Sequence, residues 1–140
     1  MTIQHRNHKN LVVNKVKCLA CGEELESRHR HDYRTCNCEQ QTMVDGGIDY
    51  GRYGGVNLDL VELCYVYDDE PHEKLRNVAT WGTFGKTGED PLRFVRIAEM
   101  SNDHIDAILT KFKGNVHPTY KKLFEDEMVY RTDNNITITD

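Results

Sequence analysis

The chain has 140 residues, a net charge of -5, 38% hydrophobic residues and 29% charged ones. That length holds one ordinary domain or two mini-cores and excludes two large ones, and the composition excludes collagen-like and broadly disordered chains. A mean hydropathy of -0.70 and no apolar run near eighteen residues exclude a membrane-spanning helix.

In chain order, residues 11–17 (LVVNKVK) predict a strand leading into Cys18-Leu-Ala-Cys-Gly22, a tight turn in which Gly22 can take positive φ. Residues 23–32 are polar, a short strand or an exposed excursion, and Tyr33 to Cys38 brings a second cysteine pair. Residues 42–50 read as a strand ending in the Asp45-Gly-Gly turn, and 51–55 as a second glycine-rich turn. Residues 56–67 hold the most β-prone run, and Asp68-Asp-Glu-Pro71 breaks it, marking a boundary. Beyond it, 77–81 and 92–97 predict two strands around a turn-rich loop. Ser101 is a good N-cap, with Asp103 in the first turn, for a helix whose face carries Ile105, Ile108, Leu109 and Phe112 and which Gly114 ends. Pro118 suits the first turn of a second helix with Tyr120, Leu123, Phe124 and Met128 as its inner stripe. Residues 132–140 are polar and read as a flexible tail. The expected class is α+β: a small zinc-stabilised, zinc-ribbon-like β module over 11–67, then a β-hairpin and two-helix module over 77–131.

The five cysteines carry the chemistry. The opening MTIQHRNHKN lacks the apolar stretch of a secretory signal, so a cytoplasmic protein is expected, where clustered cysteines are metal ligands sooner than disulfides. Cys18 and Cys21 form a strong half-site; Cys36 and Cys38 have one intervening residue where two are usual. The four together predict one structural Zn²⁺, with His29 and His31 as substitute ligands. Four protein ligands close a tetrahedral site and leave no position for an activated water. Cys64, alone in an apolar run, reads as a buried structural thiol.

Catalytic readings fail on the residues. His29-Arg-His-Asp32 begins a metallo-hydrolase motif, but its aspartate comes one residue early and the partner histidine is missing. Gly85-Lys86-Thr87 lacks the first glycine of a P-loop, where Thr80 stands. His117-Pro-Thr119 fits a turn before a helix, and Asp45, Asp49 and Asp59 fit solvated turns. The expectation is a protein that is not an enzyme.

Two binding surfaces compete. Residues 1–38 carry a balance of +3 against -8 over the remainder, so Arg28, Arg30 and Tyr33 could grip phosphates and stack a base. Four thiolates with one Zn²⁺ add about -2 and bring that segment near +1. The other surface is Tyr50, Arg52 and Tyr53, residue types enriched at protein-binding hot spots, exposed between glycine pairs.

The run from Asn14 to Tyr33, with Cys36-Asn-Cys38 and Val44-Asp-Gly-Gly-Ile-Asp-Tyr50, resembles a family of small uncharacterised proteins of bacteriophages and bacteria. Residues 77–131, with Trp81-Gly-Thr-Phe-Gly-Lys-Thr-Gly, Pro91-Leu92 and Met100-Ser-Asn-Asp-His104, are similar to a short module of phage proteins. The chain departs from the first pattern after its fourth cysteine, where Glu39 replaces an expected glycine. The resemblance implies a phage-type accessory protein in the bacterial host cytoplasm. The leading expectation is binding and modulation of a host or viral protein, as an inhibitor or anti-defence factor would do. The alternative is a zinc-ribbon nucleic-acid binder.

Overall fold

The computed structural model describes residues 2–5, 10–85, 87–111 and 114–139. The chain divides into two compact units, Met1–Glu70 and Pro71–Asp140, and the division falls inside the Asp68–Pro71 segment.

The first unit is built from short strands: β1 (Thr2–His5), β2 (Leu11–Val13), β3 (Lys15–Cys18), β4 (Glu24–Glu26), β5 (Arg34–Thr35), β6 (Met43–Asp45), β7 (Gly51–Gly54), β8 (Val61–Leu63) and β9 (Val66–Tyr67). They form an antiparallel sheet in the order β1-β7-β6-β5, a three-stranded sheet β4-β3-β8 and the pair β2-β9. The period of two along β3 sends Val16 and Cys18 inward and leaves Lys15 and Lys17 half-exposed. Val16 and Cys18 then join Leu25, Cys36 and Val44 in the core, with Cys38, Tyr53, Val61 and Tyr65 packed against it.

Three expectations change here. The strand read over 11–17 is broken at Asn14, whose buried side-chain amide donates to the carbonyls of Asp45, Gly47 and Tyr50 and so ties down the β6–β7 loop. The glycine-rich turn read over 51–55 is strand β7. Gly51 is needed there for close approach, since a Cβ would lie 2.7–2.8 Å from the Tyr65 ring and hydroxyl. The sheet also gains β1, N-terminal to the expected module, paired along β7.

The second unit contains α1 (His72–Val78), β10 (Thr80–Thr83), β11 (Arg93–Arg96), α2 (Asn102–Lys111) and α3 (Pro118–Asp133). Helix α1 is absent from the sequence reading because only Leu75 is buried along it, so it shows no apolar period. Strands β10 and β11 pair with Trp81 opposite Val95. Ser101 caps α2, its hydroxyl accepting from the His104 N–H at 3.1 Å. Ile105 and Ile108 are buried, Leu109 is half-buried, and Phe112 lies outside the described residues.

On α3, Tyr120, Leu123 and Phe124 face inward as expected, and Trp81 packs edge-on against Phe124 at 5.1 Å between centroids. The stripe does not continue to Met128, which is half-buried; Glu127 and Arg131 take the buried positions. Glu127 accepts from His72 Nε2 (2.9 Å), Arg76 Nε and Nη2 (2.8 and 2.9 Å) and Arg131 Nε (2.7 Å). Arg131 also donates to Asn102 and to the Ile97 carbonyl, so one network ties α1 and α3 to the start of α2. The segment expected to be a flexible tail begins inside α3, and Asn102 and Ile138 anchor its end: the Asn102 N–H donates to the Ile138 carbonyl and the Ile138 N–H to Asn102 Oδ1. No helix is long and apolar enough to cross a membrane among the described residues.

Candidate metal centre

Cys18 ends β3, Cys21 sits on the following turn, and Cys36 and Cys38 follow β5. The first turn is closed by the Gly22 N–H on the Cys18 carbonyl (2.7 Å) and the Cys18 N–H on the Glu23 carbonyl (2.9 Å), with Gly22 at φ 81°. That conformation suits glycine and carries the chain back into β4. The second turn has no glycine after Cys38. Gln41 supplies the left-handed residue instead, at φ 53°, with its N–H on the Cys38 carbonyl at 3.1 Å. Gln40, buried beside it, clamps the turn to Asn57: its Nε2 donates to the Asn57 carbonyl and its Oε1 accepts from the Asn57 N–H.

These two turns bring the four sulfurs within 4.8 Å of one another. Cys38 Sγ lies 3.6 Å from Cys18 Sγ and 3.5 Å from Cys36 Sγ, and all five cysteines are free thiols. A sulfur bond of about 2.3 Å to a tetrahedral ion implies ligand sulfurs about 3.8 Å apart, so the set fits such an ion without a fifth group. Neither His29 nor His31 belongs to the cluster.

The electrostatics show what the cluster lacks without a cation. Burial pushes the Cys18 thiol up, but the buried Thr42 hydroxyl, the N–H groups of Cys21 and Ala20 and the Cys21 thiol outweigh it, lowering the thiol to about 6. The Gln40 N–H favours the Cys38 thiolate, yet burial and hydrogen bonding with the other three thiols push Cys38 up to about 12. The Cys18 thiolate forms easily, whereas Cys21 and Cys38 resist, because like charges would meet at contact distance. A divalent cation reverses this and deprotonates its thiol ligands. Thr42 has no other hydrogen-bond partner for its buried hydroxyl, which makes it a support for the Cys18 sulfur. Sequence patterns single out neither Thr42 nor Gln40, since nothing in spacing distinguishes them from neighbouring loop residues.

The other candidate residues lie around the β6–β7 loop. Asp45 is buried and meets Arg52 Nη2 at 3.4 Å; the Tyr50 hydroxyl donates to the same Asp45 oxygen at 3.4 Å and meets His31 Nδ1 at 3.0 Å. Tyr53 is half-buried, edge-on to Tyr65 at 6.3 Å and packed on the cysteine core. Asp32 is a structural anchor, accepting from the Arg28 N–H and from Arg34 Nε, both at 2.9 Å. His117 caps α3, accepting from the Thr119 N–H, and Lys86 lies outside the described residues.

Residues 10–55 match a family model described as a domain of unknown function, DUF7695. The DUF7695-like segment contains all four clustered cysteines and both turns that hold them, and it covers less than half of the chain. No curated protein and no solved structure matches the chain.

Proposed function

We propose that the protein is a non-enzymatic binding protein whose first unit is held together by one structural Zn²⁺ on Cys18, Cys21, Cys36 and Cys38. The observation that carries this is the closed set of four sulfurs, which supplies every position of a tetrahedral ion. Four thiolates select zinc or iron among common metals, and a closed zinc site stabilises a fold instead of activating water. Tyr50 and Arg52, joined through Asp45, with Tyr53 packed on the cysteine-containing core, form the proposed contact surface for a protein partner. Modulation of a host or viral protein in the bacterial cytoplasm, as an inhibitor or anti-defence factor, rests on the resemblance of residues 14–50 and 77–131 to small phage and bacterial proteins.

The test has two parts. Protein purified without chelator should contain one equivalent of zinc by elemental analysis; well under one equivalent, or the absorption of thiolate-bound iron, removes the zinc assignment. Affinity capture from bacterial lysate should retain one protein whether or not nuclease is present. Nuclease-sensitive recovery of many proteins would instead promote the nucleic-acid reading.

A further inference from the structure

The four clustered sulfurs are not equally sheltered. Cys18 and Cys36 are core residues, at 0% and 4% exposure, Cys38 is half-buried, and Cys21 stands exposed on the turn after β3. That turn is tight: Leu19 and Ala20 alone separate the two cysteines, the Gly22 N–H closes it on the Cys18 carbonyl at 2.7 Å, and the two thiols meet in a hydrogen bond. One exposed sulfur therefore has a buried one held beside it within the same turn. Cys64 lies outside the cluster. Its thiol reaches the Glu62 carbonyl at 3.9 Å, and burial pushes it up, so little of it is thiolate at neutral pH.

Oxidising this pair would undo more than a turn. Cys18 belongs to the core with Val16, Leu25, Cys36 and Val44, and Tyr53 of the proposed contact surface packs on that core. Both cysteine turns are also braced on one segment. The Leu19 N–H donates to the Leu60 carbonyl at 2.8 Å, and Gln40 is paired with Asn57 at 2.6 and 3.0 Å. These hydrogen bonds place the sulfurs together, but they are weak beside a centre of four metal-bound thiolates. The four sulfurs therefore supply the hold that keeps the two turns in one fold.

We propose that the cluster is also a hydroperoxide-sensitive switch, in which Cys21 is oxidised and joined to Cys18 and the first unit, with its contact surface, loses its fold. The inference rests on the reading that the four thiolates hold one Zn²⁺. As a metal ligand Cys21 is a thiolate, the nucleophilic form. Its sulfur attacks one oxygen of the hydroperoxide: the S–O bond forms, the O–O bond breaks, and the departing oxygen takes a proton and leaves as alcohol or water. The Cys18 sulfur then attacks the Cys21 sulfur: the S–S bond forms, the S–O bond breaks, and hydroxide leaves and takes a second proton. Two thiolates, one hydroperoxide and two protons become one disulfide, one alcohol or water and one further water. The sulfurs give up two electrons and the peroxide gains them. Cys36 and Cys38 then remain, and two thiolates do not close a tetrahedral site. Thiols reverse the step by exchange and restore the set of four.

The experiment uses the zinc-loaded full chain, hydrogen peroxide as the oxidant and a chromogenic zinc indicator. Peroxide should release the zinc while the amide signals of the first unit collapse, and a dithiol with added zinc should restore both. Mass spectrometry of proteolytic fragments should find the one holding Cys18 and Cys21 lighter by two hydrogens, with Cys64 still open to alkylation. Cys21→His keeps a ligand of a kind that zinc sites use and removes the exposed sulfur, so its release should be about tenfold slower or more. If that variant fails to load zinc, the fragment map of the unaltered chain decides alone. Zinc retained under peroxide, a disulfide that includes Cys36 or Cys38, Cys21 ending as a sulfinic acid, first-unit amide signals that persist after release, no restoration by dithiol, or equal release from a zinc-loaded Cys21→His would each overturn the inference while the zinc centre stands. A chain that holds no zinc before peroxide is added would overturn the metal reading and this inference with it.

Discussion

The two units solve the problem of a small core differently. In the first, strands of two to four residues surround Val16, Cys18, Leu25, Cys36 and Val44, so two of the five core residues are sulfur donors to the candidate centre. In the second, a sixteen-residue helix lays Tyr120, Leu123 and Phe124 against Trp81, and its buried ionic network joins the helices. Short strands with so little apolar surface need a crosslink to hold them, whereas longer amphipathic helices supply enough burial themselves. On the proposed metal reading, the four clustered thiols of the first unit are therefore part of its folding energy. The Glu127 network of the second mainly selects how its helices meet, because a buried ion pair gains little over apolar packing and becomes costly only when broken.

The sharpest way to break this contrast is to remove the crosslink. Cys18→Ser, or a strong chelator, should unfold the first unit, because metal binding at such sites is worth about 10–16 kcal/mol of folding energy. Trp81 is the only tryptophan of the chain and belongs to the second unit, so its fluorescence should stay native while the amide signals of residues 10–67 collapse. Simultaneous loss of both signals would end the claim that the units are held by separate means.

The next effect in size is Glu127→Ala, which strands Arg131, 1% exposed, without its carboxylate. The expected loss is about 3–5 kcal/mol in denaturant titrations followed by Trp81, with zinc content unchanged. The same residue sets a pH dependence. Burial alone would raise the Glu127 carboxyl, but hydrogen bonds from Arg76, His72 and Arg131 overcome it and hold the group below the ordinary 4.5. This contribution is fully present above the unfolded value near 4.5 and is lost as pH falls through the lower folded value. Acid titration of Glu127→Ala should lack that part of the decline; an unchanged profile would show the network to be idle.

Smaller effects sharpen the picture of the helical core. Ile105 is fully buried, so Ile105→Ala should cost about 2–5 kcal/mol by thermal or denaturant unfolding. Leu109 is half-buried, and Leu109→Ala should cost less than about 2 kcal/mol. The smallest effect expected is for Met128→Ala, below about 1 kcal/mol, since the stripe turns to Glu127 instead. A reversed order of these three losses would mean that α2 and α3 meet along the stripe read from sequence alone.

The four cysteines, the boundary near Pro71, the Ser101 cap and the Pro118 helix start were legible in the sequence. Each depends on a local pattern, a spacing or a residue with a strong conformational preference. The mixed α+β class follows from the same patterns, since strand and helix periods alternate along the chain. Tertiary structure alone decided that Asn14 breaks a strand to tie a distant loop, that Gly51–Gly54 is a strand, and that Gln41 replaces the missing glycine of the second turn. It also decided that Glu127 and Arg131 belong inside, and that Tyr50 and the 28–34 turn share one face. Most of those outcomes depend on partners far along the chain, such as Asn14 with Gly47 or Arg76 with Glu127. A buried polar group is favourable only when such a partner is in place, and the residue types along the chain do not specify which distant groups will meet.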